Sequence, residues 1–227
     1  MELLKNNTRE AVPREDRSSR TKERKLKSYK QLNRIARKGQ ILFTGSSLCE
    51  QFPILEQLQS YGLNITVYNR GIGGYVIKEL RAAKETCIFD LEPRKIFINI
   101  GSNDIGEGRL EKNIIADYEE LLLEIRQRLP ETRIYVMAYY PANVKDDFHV
   151  SRECAAAVKN RTKGKIDVLN RMLMEMAYRT GCTYVDANSG LADKDGQMKK
   201  ELCIDGIHMW PDAYINVMDN LLPYLAE

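Results

Sequence analysis

Short runs of apolar residues alternate along the chain with longer segments in which apolar residues recur every three or four positions. Short apolar runs are typical of strands buried in a parallel sheet, and the periodic segments are typical of amphipathic helices. The runs predict five strands, at residues 40–44, 64–69, 94–101, 132–140 and 182–187. The periodic segments predict helices at 47–60, 76–85, 110–129, 164–180 and from Pro211 to about 225.

Alternation of strands and helices favours a particular layering. Parallel strands need crossover connections, and helices in those connections cover both faces of the sheet. We therefore expect an α/β fold, a three-layer α/β/α sandwich around a central, mainly parallel sheet of five strands. Residues 140–163 show no clear period and are expected to be irregular.

The N-terminal segment differs from the rest of the chain in charge. Residues 1–40 hold 13 Lys and Arg against 5 Asp and Glu, a net charge of +8 within a chain of net charge +3. This segment ends in apolar residues at helical spacing, namely Leu26, Tyr29, Leu32 and Ile35. We interpret residues 1–38 as a basic arm ending in an amphipathic helix, and residues 39–227 as one α/β domain.

Composition narrows the class of protein. No apolar run approaches the roughly 20 residues of a membrane-spanning helix, and the first residues lack the apolar core of a secretion signal, so a cytoplasmic protein is expected.

The five cysteines are scattered, without a C-x-x-C pair, so neither a zinc knuckle nor a redox motif is indicated. No His, Asp and Glu cluster has metal-ligand spacing, so we expect no metal. A basic arm can bind nucleic acid or an anionic membrane, but Tyr29 is its only aromatic residue, so no nucleic-acid partner is expected. The pattern does not indicate an oligomeric state.

Chemistry-bearing residues follow the predicted strands, where ligands bind in open parallel sheets. Gly45, Ser46 and Ser47 follow the first strand, "NRGIGG" (69–74) the second and "GSND" (101–104) the third, while "DGIH" (205–208) precedes the last helix. Together they supply a hydroxyl, backbone N–H groups, an amide, an imidazole and a carboxylate, which are the parts of an acyl-transfer site. Taken alone, the first turn is better explained as a turn with a helix N-cap.

Only two histidines are available as a base that is partly neutral near pH 7. His208 follows Asp205 by three residues, in a turn containing glycine that can fold the carboxylate back onto the ring. His149 lies in the irregular segment and is expected to be an exposed loop residue.

The four blocks, in this order and spacing, resemble those of the SGNH hydrolases, also called the GDSL-like lipase and esterase family. The resemblance implies a flavodoxin-like fold over residues 39–227 and hydrolysis of a small-molecule carboxylic ester through an acyl-enzyme, without a cofactor. It implies that Ser47 is the nucleophile, with His208 as base and Asp205 as its partner. It also implies an oxyanion hole formed by Ser47, Gly74 and Asn103. The sequence departs from the family at Ser46, where Asp is frequent.

Several alternatives stay open on the sequence. "GIGG" lacks the spacing of a dinucleotide-binding loop. The ester is not specified, although the lack of a long apolar groove favours a short acyl group such as acetyl, on a lipid or a carbohydrate. A non-catalytic binding module of the same fold, or a protein that binds anionic surfaces through the basic arm, are the competing functions.

Overall fold

The computed structural model describes residues 14–226. Its five strands are Ile41–Gly45 (β1), Val67–Asn69 (β2), Lys95–Asn99 (β3), Arg133–Met137 (β4) and Thr183–Val185 (β5). The helices before β4 are Arg14–Leu32 (α1), Ser47–Glu50 (α2), Ile54–Ser60 (α3), Ile77–Ala82 (α4), Lys84–Cys87 (α5), Ser102–Gly106 (α6) and Glu111–Arg128 (α7). Those after β4 are Arg152–Lys159 (α8), Lys163–Arg179 (α9) and Pro211–Ala226 (α10). Short 3₁₀ turns lie at Phe89–Leu91 and Lys200–Leu202.

The sheet is parallel throughout, with strand order β2-β1-β3-β4-β5. From β1 the chain first moves to β2 on one side, and it then crosses to β3 on the other. The direction of strand order therefore reverses between β1 and β3, which is where open α/β sheets bind ligands. The predicted fold class is confirmed.

Alternate residues of each strand serve different layers. Ile96 and Ile98 of β3 pack into a cluster with residues of α1, α4, α5, α7 and α9, whereas Phe97 points into a second cluster with residues of α2, α3 and α10. In the second cluster the rings of Phe43, Phe97 and Tyr135 stack in a row at 4.6 Å between neighbouring centroids. The two clusters are the two interfaces of the sandwich.

Two predicted helices are each divided in the structure. The segment at 47–60 forms α2 and α3, because Pro53 lies between them and has no N–H for an intrahelical bond. The segment at 76–85 is divided into α4 and α5 at Ala83.

The segment at 140–163 needs a correction of the opposite kind, because it is not irregular throughout. It contains α8, and the Ser151 side chain caps this helix by accepting the Cys154 N–H. Because serine is a favoured N-cap residue, Ser151 is the signal in the sequence from which the start of α8 could be predicted.

The N-terminal helix also differs from its prediction. It begins at Arg14 and ends at Leu32, so Ile35, the last residue of the predicted apolar stripe, lies beyond the helix. Tyr29 is buried, whereas Leu32 is 44% and Ile35 82% exposed. Asn33 follows the helix, and its side-chain amide donates to the Thr86 carbonyl oxygen at 2.8 Å. This hydrogen bond fixes the end of the helix to α5. Residues 1–13 of the predicted basic arm lie outside the described residues.

None of the helices between residues 14 and 226 combines the length and the apolar character needed to cross a membrane.

Candidate active site

A turn after β1 places two serines in different environments. Gly45 has φ +154°, and a Cβ atom there would lie 2.0 Å from the Asn99 carbonyl oxygen, so only glycine lets β1 turn this close to β3. Ser46 is buried, and its Oγ atom has no hydrogen-bond partner among residues 14–226. Ser47 is the first residue of α2 and is half-buried. The turn therefore exposes the second hydroxyl, not the first.

Three of the predicted side chains form a continuous hydrogen-bonded row. The Ser47 Oγ atom lies 2.9 Å from His208 Nε2, and His208 Nδ1 lies 2.6 Å from Asp205 Oδ2. The side chains of His208 and Asp205 are each about one quarter exposed, at 27% and 26%. A hydroxyl, an imidazole and a carboxylate in this order can activate the hydroxyl, since the ring accepts its proton while the carboxylate orients the ring.

Local backbone geometry holds the carboxylate of Asp205. Its Oδ1 atom accepts the backbone N–H groups of Ile207 at 3.0 Å and His208 at 2.8 Å, leaving Oδ2 for the ring. Burial alone would raise the pKa of Asp205, but the hydrogen bonds from the His208 ring and from these two N–H groups outweigh it and lower the pKa to about 2. Asp205 is therefore ionised throughout the neutral range.

Two backbone N–H groups near the serine are available to a ligand. Among the backbone groups of residues 14–226 and the side chains of residues 18–226, no acceptor takes the N–H of Ser47 or of Gly74. The preceding N–H, that of Gly73, is occupied, because it donates to Glu50 Oε2 at 2.5 Å. A Cβ atom at Gly73 would lie 3.8 Å from Ser47 Cβ, so the loop of residues 71–76, the glycine loop, runs directly beside the serine.

Asn103 joins the third block to the second. Its Nδ2 atom donates to the Tyr75 carbonyl oxygen at 2.9 Å, next to Gly74 in the chain. A primary amide has two N–H groups, so this bond leaves one for a ligand.

Asp104 connects two segments of the site, a role that the sequence pattern did not predict. Its side chain is fully buried, and Oδ2 accepts the Ile77 N–H at 3.0 Å while Oδ1 pairs with Arg109. Burial raises the pKa of Asp104, against the opposing effect of these partners. The carboxylate ties α6, which carries Asn103, to the start of α4, which follows the glycine loop. Nothing in "GSND" alone distinguishes this role from a helix cap.

Arg161 was also missed. It is 4% exposed, and its guanidinium donates to the Ser102 carbonyl oxygen at 2.6 Å and to the Ala157 carbonyl oxygen at 2.5 Å. Burial lowers the pKa of Arg161 to about 10, although the nearby Asp205 opposes this shift. The Arg161 guanidinium therefore holds the backbone carbonyl of the residue before Asn103. Arg161 lies in the segment 140–163, for which the sequence pattern predicted no helix or strand.

His149 takes no part in the cluster. Its side chain is 89% exposed and lies 3.3 Å from Asp147 Oδ2 in a surface loop.

The cavity that adjoins Asp205 is small, with a volume of about 130 Å³, and its lining includes Val144, Phe148 and Val158. A larger cavity of about 480 Å³ lies between α9 and the loop after β5, and none of the five predicted site residues lines it. Tyr75, which follows Gly74, and Tyr139 and Tyr140, which follow β4, are buried. Across residues 14–226, no three His, Cys, Asp or Glu side chains converge in a way that could hold a metal ion.

Comparison with known proteins adds a family and a set of folds. The model of the GDSL-like lipase/acylhydrolase family matches residues 52–214. No curated protein matches the chain. A structure from Streptococcus pneumoniae, provisionally described as a platelet activating factor, is 28% identical with a TM-score of 0.82, over 93% of this chain and 95% of that one.

Two further structures share the fold at lower identity. A GDSL-like lipase from Bacteroides thetaiotaomicron is 16% identical with a TM-score of 0.71, over 88% of this chain and 97% of that one. A catalytic mutant of an acetylxylan esterase from Geobacillus stearothermophilus is 18% identical with a TM-score of 0.62, over 83% of this chain and 95% of that one. At these identities the likeness concerns the fold.

Proposed function

This chain belongs to the GDSL-like lipase and acylhydrolase family and is a hydrolase that acts on esters, and from that premise we propose that it works through a serine nucleophile, Ser47. The observation that carries the proposal is the row of hydrogen bonds from Asp205 through His208 to Ser47. A serine hydroxyl attacks a carbonyl carbon efficiently only when a base within hydrogen-bond distance removes its proton.

The reaction has two steps. In the first, His208 Nε2 takes the Ser47 proton as Oγ bonds to the ester carbonyl carbon, and the resulting imidazolium then protonates the departing alcohol. In the second, water attacks the acyl-serine, His208 again takes and returns a proton, and the carboxylic acid leaves. Asp205 orients the ring and stabilises its protonated form without itself becoming protonated, which agrees with its lowered pKa.

Each step passes through a tetrahedral intermediate with a negative oxygen, which needs donors already in place. We assign this role to the backbone N–H groups of Ser47 and Gly74 and to the side-chain amide of Asn103. Support comes from the two N–H groups without an acceptor among the described backbone and the side chains of residues 18–226, and from the second amide hydrogen of Asn103. Gly73 is a poorer candidate, since Glu50 occupies its N–H.

The substrate we propose is a small-molecule ester with a short acyl group, such as an acetyl ester of a carbohydrate or a lipid. Neither the cavity beside Asp205 nor the larger cavity is lined by Ser47, His208 or Asn103, so the support for a short acyl group comes from the similar folds. The acetylxylan esterase of similar fold acts on an acetylated carbohydrate, which is consistent with a short acyl group but does not specify the alcohol.

A series of p-nitrophenyl esters from acetyl to palmitoyl tests the proposal, with Ser47→Ala as the matched control. We expect hydrolysis by the wild type that is fastest for the shortest chains and absent in Ser47→Ala. Hydrolysis at equal rates by both proteins would exclude Ser47 as nucleophile. A maximum at long chains would contradict the short acyl group while leaving the nucleophile in place.

A further inference from the structure

One face of α1 contacts the glycine loop that contains Gly74. Lys22, Lys25 and Tyr29 are spaced three and four residues apart, so they share one face of the helix. Each of the three reaches residues 71–79 or the carboxylate that holds this loop. The exposed basic residues of α1, such as Lys27, lie on other faces.

Lys25 reaches the loop through Glu50. Its Nζ atom lies 2.8 Å from Glu50 Oε1, and Glu50 Oε2 accepts the Gly73 N–H at 2.5 Å. Glu50 is the last residue of α2, three positions after Ser47. One carboxylate therefore connects α1, the helix of the proposed nucleophile and the residue before Gly74.

Lys22 holds the other end of the loop. Its Nζ atom lies 2.8 Å from both carboxylate oxygens of Glu79, and Glu79 Oε2 also accepts the Val76 N–H at 3.0 Å. The same Nζ atom lies 5.6 Å from the centre of the Tyr75 ring. A Cβ atom at Gly74 would be 3.2 Å from Lys22 Cε, so the lysine stem packs directly against this glycine.

Tyr29 fixes the start of the loop from the buried side. Its hydroxyl donates to the Gly71 carbonyl oxygen at 2.7 Å, and the residue is 7% exposed. A Cβ atom at Gly71 would lie 2.4 Å from the Glu50 backbone nitrogen, so the loop passes between α1 and α2 with no space for a side chain. Small shifts of α1 must therefore move the loop.

We propose that α1 is a positioning element of the active site, in which Lys25 acts through Glu50 to hold the Gly74 N–H in the oxyanion hole. This inference rests on the proposed function, because the contacts of α1 affect catalysis only if the Gly74 N–H stabilises an oxyanion. A preorganised donor contributes most in the transition state, so its misplacement lowers kcat more than it changes KM. A helix that merely adds to stability would not produce this difference.

The test compares Lys25→Met with Lys27→Met, an exposed lysine of the same helix. We expect Lys25→Met to lower kcat about tenfold on the best p-nitrophenyl ester, with KM and the melting temperature nearly unchanged. Lys25→Arg should recover most of the rate, because a guanidinium can also pair with Glu50. Lys27→Met should match the wild type. Equal kcat values for Lys25→Met and Lys27→Met would overturn the proposal.

The role of Glu50 gives a second test. Glu50→Ala removes both the acceptor for the Gly73 N–H and the partner of Lys25, and should lower kcat further than Lys25→Met does. Adding Lys25→Met to Glu50→Ala should then cause no further loss, because the lysine acts through the carboxylate. Independent, additive losses in the double variant would contradict a shared path.

Hydrogen–deuterium exchange separates failure of this inference from failure of the proposed function. In Lys25→Met, backbone amides of residues 71–76 should exchange faster than in Lys27→Met, with other regions unchanged. Unchanged exchange would overturn the inference even in an active esterase. A wild type that hydrolyses no ester would overturn the proposed function and the catalytic purpose of α1 with it, while faster exchange would still establish that α1 holds the loop.

Discussion

The Ser47 hydroxyl and the His208 ring lie 2.9 Å apart although 161 positions separate them in the chain. The serine follows β1, and the histidine lies in the turn before α10. Their contact depends on α10 packing against the same face of the sheet as α2, where the Tyr214 hydroxyl donates to the Leu48 carbonyl oxygen at 2.8 Å.

Replacement of the two neighbouring serines distinguishes nucleophile from scaffold. Ser47→Ala should lower kcat by on the order of 10⁴ or more with an unchanged melting temperature. Ser46→Ala should retain most of the activity and be as stable as the wild type or slightly more so, because the lost hydroxyl is buried without a partner among residues 14–226. Steady-state kinetics and thermal unfolding provide the measurements. The reverse order of effects would show that the catalytic serine has been misassigned by one residue.

Asn103→Ala should lower kcat by roughly 10²–10³ while KM changes little, since an oxyanion donor acts mainly in the transition state. Asn103→Asp is a useful companion variant, because it keeps the size of the side chain and replaces the donor by an acceptor. Steady-state kinetics on the best p-nitrophenyl ester measure both variants. A raised KM at normal kcat would make Asn103 a substrate-binding residue instead.

The pH dependence of kcat/KM should report on His208. The base must be neutral to accept the serine proton, so kcat/KM should have an acid limb that depends on His208. His208→Ala should lose the activity together with this limb, whereas His149→Ala should keep both, since His149 is in an exposed loop. Asp205→Ala should leave more residual activity than His208→Ala, because orienting a base is less demanding than acting as one. Normal activity in His208→Ala would contradict the mechanism.

Asp205 should also affect stability in acid. Its pKa is lowered to about 2 in the folded protein, against about 3.9 in an unfolded chain, so the ionised form stabilises the fold above pH 4. This contribution, of about 2 kcal/mol, is lost as the pH falls from about 4 to 2. The free energies of unfolding of wild type and Asp205→Asn, measured by urea titration, should therefore converge over this range. A constant difference would show that the carboxylate is not held as described.

Arg161→Met should lower the free energy of unfolding by about 2 kcal/mol, because it removes the buried guanidinium that donates to the Ser102 carbonyl oxygen. Lys159→Met, at an exposed position of α8, is the matched control and should be nearly neutral. Urea unfolding at pH 7 measures both. Equal stability of the two variants would show that Arg161 does not support this turn.

Much of the fold could be predicted from the sequence because strands buried on both sides are continuous apolar runs. "QILFT" and "RKIFINIG" are of this kind, and they form β1 and β3. The residues following strands could be grouped for the same reason, since the carboxyl ends of parallel strands share one edge. Ser47 and Asn103 could be assigned to one site on that ground, although 56 positions separate them in the sequence.

The remaining features depend on contacts that no local pattern records. Helix α1 is longer than its apolar stripe, since polar contacts such as Lys22 with Glu79 hold its charged first half. Ile35 was expected on the buried face but is exposed, because the helix ends before it at Leu32. The structural role of Arg161 comes from its hydrogen bond to the Ser102 carbonyl oxygen, 59 positions away in the chain. Such pairs become visible only when the chain is folded.

The position of His208 after the last strand has a consequence for the order of assembly during translation. The first four strands end by Met137, so these strands and the serine turn can form on the ribosome while the histidine is still being synthesised. The nascent chain then passes through a stage that has a nucleophile turn but no base. Catalytic competence therefore requires that residues 205–226 emerge and that α10 docks. Ester hydrolysis by stalled nascent chains of increasing length would therefore time the docking of α10.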